Sequence, residues 1–404
     1  MIIDSGHHCQ MVDMTNISIH ENYDRFLDVL TSTEGFEEKE NVSNPEYAIY
    51  YYPQSLIRTN SNLPFFMASP KLFSLMNDTN ASVHHGTIGG RLVLMRIIVI
   101  NSEEIAFFKL GTIAHVPQGI STGQNNFYLR RNEAGEGYLA VDRSKILRDN
   151  EIVSLSREEK INGVNPDDYS GRHYIPFDKG SETDSQNNWL SNYYVPTNYY
   201  IDWSLKSLQR MRSLTIADRK LECGEKSKIQ PGDDRKLAAA LRNQDQWFQP
   251  VISFSPTGQY SPTFRLGVGT VSQNTSSGII VRELSQFLLL GVLASCFARY
   301  LFKNFLNHSV HTQEGDITEF LFPNLKKTTQ SNNIEILVQK IIKKQQKSSR
   351  YDYASNEQIE IDRLVYEAYG LNEEDIAEVE NWYARRYPKL ARAQNCKKIT
   401  GTEK

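Results

Sequence analysis

The chain has 404 residues, 39% hydrophobic and 23% charged, with a formal net charge of −3. That length supports two or three domains and a well-buried core, and the composition is that of a soluble globular protein. With so little net charge the molecule as a whole does not attract nucleic acid, so any such binding must rest on local patches.

Charge is spread unevenly. Residues 1–60 hold ten acids against Arg25, Lys39 and Arg58, and residues 352–382 hold ten acids against Arg363. Between them, residues 203–242 hold ten bases against five acids, and residues 299–350 hold nine against four. Two basic blocks flanked by acidic ends suit a charged groove, and equally suit solvated faces that differ in sign. The four cysteines, Cys9, Cys223, Cys296 and Cys396, lie far apart with no CxxC pair, which argues against a zinc knuckle. The amino terminus lacks the charged-then-apolar pattern of a signal peptide. The longest apolar run, Phe287 to Ala298, is too short to span a bilayer. These features point to a reduced, cytoplasmic protein with no membrane partner.

In chain order, "TSTEGFEEKENVSN" (31–44) reads as an exposed helix end and loop. "EYAIYYYP" (46–53) reads as a strand stopped by Pro53, and "GGRLVLMRIIVI" (89–100) as a second strand, long and apolar enough to be buried. From about residue 106, short β-like runs alternate with loops rich in Gly, Pro and Asn, the texture of an irregular α/β or mainly β domain. From Leu284 the period becomes helical. "LSQFLLLGVLASCFARYLFKNFL" (284–306) is apolar on more than one face and predicts a packed core helix. Residues 332–347 place Ile334, Leu337, Val338, Ile341 and Ile342 on one stripe, which suits burial against the chain's own core or a partner. Residues 356–370 form another helix with Gly370 as its C-cap. Residues 372–388 begin with an Asn cap and acids in the first turn, and close on Arg385 and Arg386 before Pro388. The fold class predicted is α+β: an N-terminal segment (1–105), an irregular α/β domain (106–325) and a helical spacer or docking arm (326–404).

Motifs for bond-making chemistry are missing. "NPEY" (44–47) and "NPDDY" (165–169) lack the second proline of an amino-methyltransferase loop, and read as turns opened by Asn-Pro. "GTIGG" (86–90) precedes a strand instead of following one, so it is a poor cofactor loop. The acids and lysines of "ECGEKSK" (222–228) and "GDDRK" (232–236) read as a solvated or phosphate-facing loop ahead of a nuclease site. His7–His8, His84–His85 and His308/His311 lack a carboxylate or thiol in register and read as surface or packing histidines.

Five segments, in order over residues 106–382, resemble the C-terminal half of type IIG-like restriction–modification adenine methyltransferases and, in part, type I specificity subunits. In "FKLGTIAHVPQGISTGQNNFYL" (108–129), Gln118, Gly119, Ile120, Thr122, Gly123, Asn125 and Phe127 match the opening of the family's target-recognition domain. "YIPFDKGSETDSQNNWLSNYYVPTNYYIDWS" (174–204) is similar to its tyrosine-rich segment. "GLNEEDIAEVENW" (370–382) is similar to its helical ending, and residues 247–266 and 289–323 are weaker echoes. In that family the S-adenosylmethionine-binding catalytic domain comes first on the same chain, whereas here residues 1–105 are at most its last edge or a replacement for it. The resemblance therefore implies a DNA-binding specificity subunit with no catalytic residue, metal or cofactor of its own. S-adenosylmethionine is expected on a separate adenine-specific methyltransferase or endonuclease chain. The alternatives are a catalytic subunit or fragment of such an enzyme, a nuclease subunit, or a protein-binding scaffold of an antiviral defence system.

On that reading Gly119 and Gly123 permit close backbone approach to DNA. Gln118, Gln124 and Asn125 suit an adenine edge, and Ser121 or Thr122 a phosphate. Lys206, Arg210, Arg212, Arg219, Lys220, Lys226 and Lys228 would supply the salt-dependent part of binding, and Lys179 of the tyrosine-rich segment is a further DNA-binding candidate. Arg265 is a candidate guanine reader. Tyr193, Tyr194, Tyr199, Tyr200 and Trp203 read as core and sheet residues ahead of base-stacking platforms.

Overall fold

The computed structural model describes residues 8–14, 20–32, 41–53, 68–69, 71–73, 81–180, 189–257, 261–274, 277–307, 309–325 and 329–401. Residues 33–40 of the expected N-terminal loop, residues 181–188 of the tyrosine-rich segment, His7 and His308 lie outside them. The fold is α+β, with four small sheets among helices in the described residues.

β1 (His8–Asp13), β2 (Val42–Ser43) and β3 (Ala48–Pro53) form an antiparallel sheet in the order β1-β3-β2. Its Tyr50 and Tyr52 are buried with Phe73. β4 (Ser82–Ile88), β5 (Arg91–Ile100) and β6 (Glu103–Lys109) follow as a meander. Its turns are two residues each, with Gly89 and Gly90 at φ +54° and +86°, and Asn101 and Ser102 at +48° and +70°. A tight hairpin between right-twisted strands needs positive φ at both positions, so "GG" is spent on the turn and the strand starts at Arg91. Nor is β5 buried on both faces: Val93, Met95, Ile98 and Ile100 point inward, while Leu92, Leu94 and Val99 are exposed.

The remaining strands are short: β7 (Ala114–His115), β8 (Leu129–Arg131), β9 (Leu139–Ala140), β10 (Tyr174–Asp178), β11 (Tyr199–Asp202), β12 (Ile252–Phe254), β13 (Phe264–Leu266), β14 (Val271–Ser272), β15 (Gly278–Val281) and β16 (Leu321–Pro323). One sheet runs β14-β10-β11-β8-β9 and is mixed; another runs β13-β12-β15-β7 and is antiparallel. β16 closes the meander by pairing Phe322 with Phe108 beside β6.

Two large cores result. One gathers the meander, β12, β13, β15 and the C-terminal helices; the other gathers Ile120, Leu129, Ile175, Ile201, Trp203 and the helices over the five-stranded sheet. The apolar segment after Leu284 folds as helices Gln286–Leu293 and Cys296–Leu301, buried on nearly every face. The stripe of helix Thr329–Lys347 packs on the first of these: Ile334, Val338 and Ile341 are wholly buried, and a Cβ on Gly291 would collide with Ile334. The chain's own core thus occupies that stripe. Gly370 sits at φ +67° after helix Glu357–Ala368, and Asn372 caps helix Glu373–Arg386 reciprocally with Asp375. Arg385 of this last helix is buried against Asp13 of β1 at 3.1 Å, tying the two ends of the chain together. Among the described residues no single helix is long and apolar enough to cross a membrane.

Candidate nucleic-acid interface

Residues 118–125 lie across the second core, held by their own backbone. Ile120 donates to Ser272 at 2.8 Å and accepts from Asn274 at 2.9 Å, while Ser121 and Ala240 exchange hydrogen bonds at 3.0 and 2.7 Å. A Cβ on Gly119 would collide with the backbone of Ser272 and Gln273. Gly123 sits at φ +72°, and a Cβ there would collide with the Ala238 carbonyl. Both glycines serve close packing of the protein on itself, and Gly119 is buried. Thr122 is 1% exposed; its hydroxyl donates to Asn125 Oδ1 at 2.6 Å. As placed, it cannot donate to a phosphate, which corrects the expectation for Thr122 and engages the Asn125 acceptor as well. Gln118 is exposed, with its carbonyl held by Asn243 at 2.9 Å.

Helix Leu205–Ser213, capped by Ser204, and helix Ile216–Glu222, capped by Thr215, bring the basic block to this segment. Arg210 donates to Gln124 Oε1 at 3.3 Å, stacks 4.6 Å from the Phe127 ring centroid and pairs with Glu222. Arg219 donates to the Gly123 carbonyl at 3.4 Å. The Gln-Gly-Ile-Ser-Thr-Gly-Gln-Asn segment and two arginines nearly a hundred residues away therefore form one surface.

Other members of the predicted set do structural work. Arg212 turns away to Asn162, the Ile161 carbonyl and Gln244. Lys220 is tied to Asp233 at 2.8 Å and the Lys228 carbonyl at 2.7 Å, and this bond holds the Asp233 carboxyl below its usual range. Lys228 is exposed and bonds Glu225 at 2.6 Å, holding that carboxyl low. Lys206 and Lys226 are exposed. Arg235, Lys236 and Arg242, not singled out from the sequence individually, are exposed too. Their signal was the charge block itself, and the bridges Thr215–Leu237 and Ser121–Ala240 run their segment alongside residues 118–123. Among the described residues no carboxylate lies within ion-pair distance of these five cations.

Arg265 is 3% exposed and paired with Asp178, itself 5% exposed, which also accepts from Ser253 Oγ at 2.5 Å. A guanidinium so enclosed cannot reach a base edge; it is a strut between β10 and β13. Lys179, the next residue, lies apart from the basic helices, 4.9 and 4.5 Å from the Tyr138 and Tyr199 ring centroids. Tyr193 and Trp203 are buried core residues, as their pattern implies.

Three of the four acids of 222–236 are engaged by cations: Glu222 with Arg210, Glu225 with Lys228, Asp233 with Lys220. Among the described residues no group of three or more His, Cys, Asp or Glu is placed to hold a metal ion. "NPEY" and "NPDDY" are turns in which Asn44 and Asn165 side chains accept from backbone N–H groups two residues on.

No family model matches the chain, and no curated protein matches it. Among solved structures it is similar to the type IIL restriction–modification enzyme MmeI in complex with DNA, at 13% identity and a TM-score of 0.38. The similarity covers 96% of this chain and 50% of that one, so the chain spans half the length of that protein. A likeness at this level carries no argument about function.

Proposed function

We propose that the chain is the sequence-specific DNA-binding specificity subunit of a restriction–modification defence system, directing a separate adenine-specific methyltransferase or endonuclease chain that carries S-adenosylmethionine. One observation carries the reading: the segment whose residues resemble a target-recognition opening, 118–125, is flanked by Arg210 and Arg219 and bordered by exposed Lys206, Lys226, Arg235, Lys236 and Arg242. Phosphate contacts fix register and polar side chains read base edges. Here the exposed cations take the first role, and Gln118 and Gln124 take the second. Residues 106–325 read the duplex. Residues 326–404, their apolar stripe spent on the chain's own core, offer a polar outer face to the catalytic chain.

Electrophoretic mobility shifts over a salt series test this. Duplex binding should weaken with salt at a slope of about −0.9 per phosphate contacted, and one sequence should be preferred. Failure to shift any duplex at low salt, with and without a cognate methyltransferase chain, would overturn the reading.

A further inference from the structure

Beside the basic helices the fold leaves the Phe127 ring in water. It is 47% exposed, on the single helical turn Asn125–Tyr128 that follows the glycine-rich segment. Its chain neighbours Tyr128 and Leu129 are wholly buried in the second core, so the turn is anchored from beneath. The Tyr128 ring meets the Phe127 ring edge-on, 4.9 Å between centroids.

Arg210 joins this ring to the amide of Gln124. Its guanidinium lies 4.6 Å from the Phe127 ring centroid and donates to Gln124 Oε1 at 3.3 Å. The same guanidinium is paired with Glu222, which offsets its charge. An arginine engaged in this way is a poor phosphate contact and a good clamp, because its planar fork holds amide and ring in a fixed relation. Gln124 Nε2 faces Cys223 Sγ at 3.8 Å, a weak acceptor. An amide oxygen has two lone pairs and an amide nitrogen two hydrogens, so Gln124 still offers an acceptor and a donor side by side.

An amide beside an exposed apolar ring has a specific match in the major groove. Adenine presents its N7 acceptor next to its N6 donor, and its partner thymine presents the C5 methyl group. A glutamine amide pairs bidentately with the adenine edge, and an apolar side chain covers the methyl. A G·C pair presents no methyl, so the ring gains nothing there.

We infer that Gln124 and Phe127 together read an A·T base pair in the major groove, Gln124 on the adenine edge and Phe127 on the thymine methyl, with Arg210 as the positioning residue that sets the two in register. The inference rests on the proposed duplex interface and names the base pair it reads.

Deleting the methyl group from the DNA tests it. The full chain first selects its preferred duplex from a randomised pool. Each thymine of that duplex is then replaced in turn by deoxyuridine, which keeps the pairing and removes the methyl. At one position the wild-type protein should bind thymine about fourfold tighter than uracil, the worth of one methyl group taken out of water. With Phe127→Ala that ratio should fall to about one, with the circular dichroism spectrum unchanged. Replacing the adenine opposite that thymine by 7-deazaadenine should weaken wild-type binding about fivefold and leave binding by Gln124→Ala unchanged. Arg210→Lys, which keeps the charge and loses the planar fork, should lower both ratios. None of the three substitutions should change the salt slope, because none removes a phosphate contact. A preferred duplex in which no thymine methyl matters, or a thymine-to-uracil ratio that survives Phe127→Ala, would overturn the inference and leave the duplex reading standing. Equal weakening of all duplexes by Phe127→Ala, with a flatter salt slope, would also overturn it. A wild-type protein that shifts no duplex would sink both.

Discussion

Residues 203–242 and 299–350 each carry a surplus of bases, but they place them differently. In the first stretch Lys206, Lys226, Arg235, Lys236 and Arg242 stand in solvent beside residues 118–125. In the second, Arg299 is 3% exposed, its guanidinium bonded to Ser261 at 3.2 Å and lying over the Tyr387 ring. Lys303 is buried nearby, and burial, helped by Arg386, lowers its ammonium to about 8. Lys340 and Lys344 both reach Glu357. The cause lies in the segments that carry them. Helices that are apolar all round are enclosed by the core, and a cation on one is enclosed with them. Short turns and loops with little apolar content, which carry Lys226, Arg235, Lys236 and Arg242, leave theirs in water. A charge count locates basic sequence; the hydrophobicity of its surroundings decides whether a ligand can use it.

The largest test of this contrast is Arg265, a base reader by its sequence context and a buried cation in the fold. Arg265→Ala leaves Asp178 charged and enclosed, so urea denaturation should show a loss of about 3–5 kcal/mol. An unchanged unfolding midpoint together with weakened duplex binding would return Arg265 to the interface.

Next is the pH dependence around Asp362, buried on helix Glu357–Ala368 where it meets Cys296 at the start of helix Cys296–Leu301. Burial raises its carboxyl from 3.8 to about 6, against the lowering effect of hydrogen bonds from the Cys296 backbone and side chain and from Gln358. The folded protein therefore keeps this proton to higher pH than the unfolded chain does. The stability it contributes is whole below the unfolded value and fades as pH rises through about 6. Asp362→Asn, which mimics the protonated form, should remove up to about 3 kcal/mol of that decline. A pH–stability curve parallel to wild type would take Asp362 out of the account. In the other basic stretch the sign reverses: Glu225 and Asp233 are held low by Lys228 and Lys220, so their contribution is present at neutral pH and lost in acid.

The smallest effect bears most directly on function. The double reversal Lys206→Glu, Lys226→Glu should weaken duplex binding about tenfold and flatten its salt slope, with stability within about 0.5 kcal/mol of wild type. Lys343→Glu with Lys347→Glu, equally exposed but on the other stretch, should leave binding nearly unchanged. Equal losses from the two pairs would erase the contrast.

Much was legible in the residues themselves. The Gly370 cap and the Asn372 cap are local devices, set by backbone sterics and hydrogen bonds within a few residues, and the structure shows both; the Gly89-Gly90 turn, read as the start of a strand, is a local device that the apolar run beside it masked. So did the period of residues 332–347 choose which face is buried, although which of its two candidate cores received it was not written there. The site was legible in part. Residue types along 118–125 and 203–242 named a polar loop and a basic block, but nothing local says that Gly119 and Gly123 are needed for packing against residues 272–273 and 238, or that Thr122 and Arg265 are enclosed.

By itself the sequence determined the caps and the buried stripe of its C-terminal helices, because those depend on near neighbours, and it determined that the cations come in two blocks. Only the tertiary structure decided which cations face water, which polar groups are already satisfied, and that Arg210 and Arg219 meet residues 123–124. Burial and long-range pairing depend on what the rest of the chain brings alongside, and no window of residues contains that information.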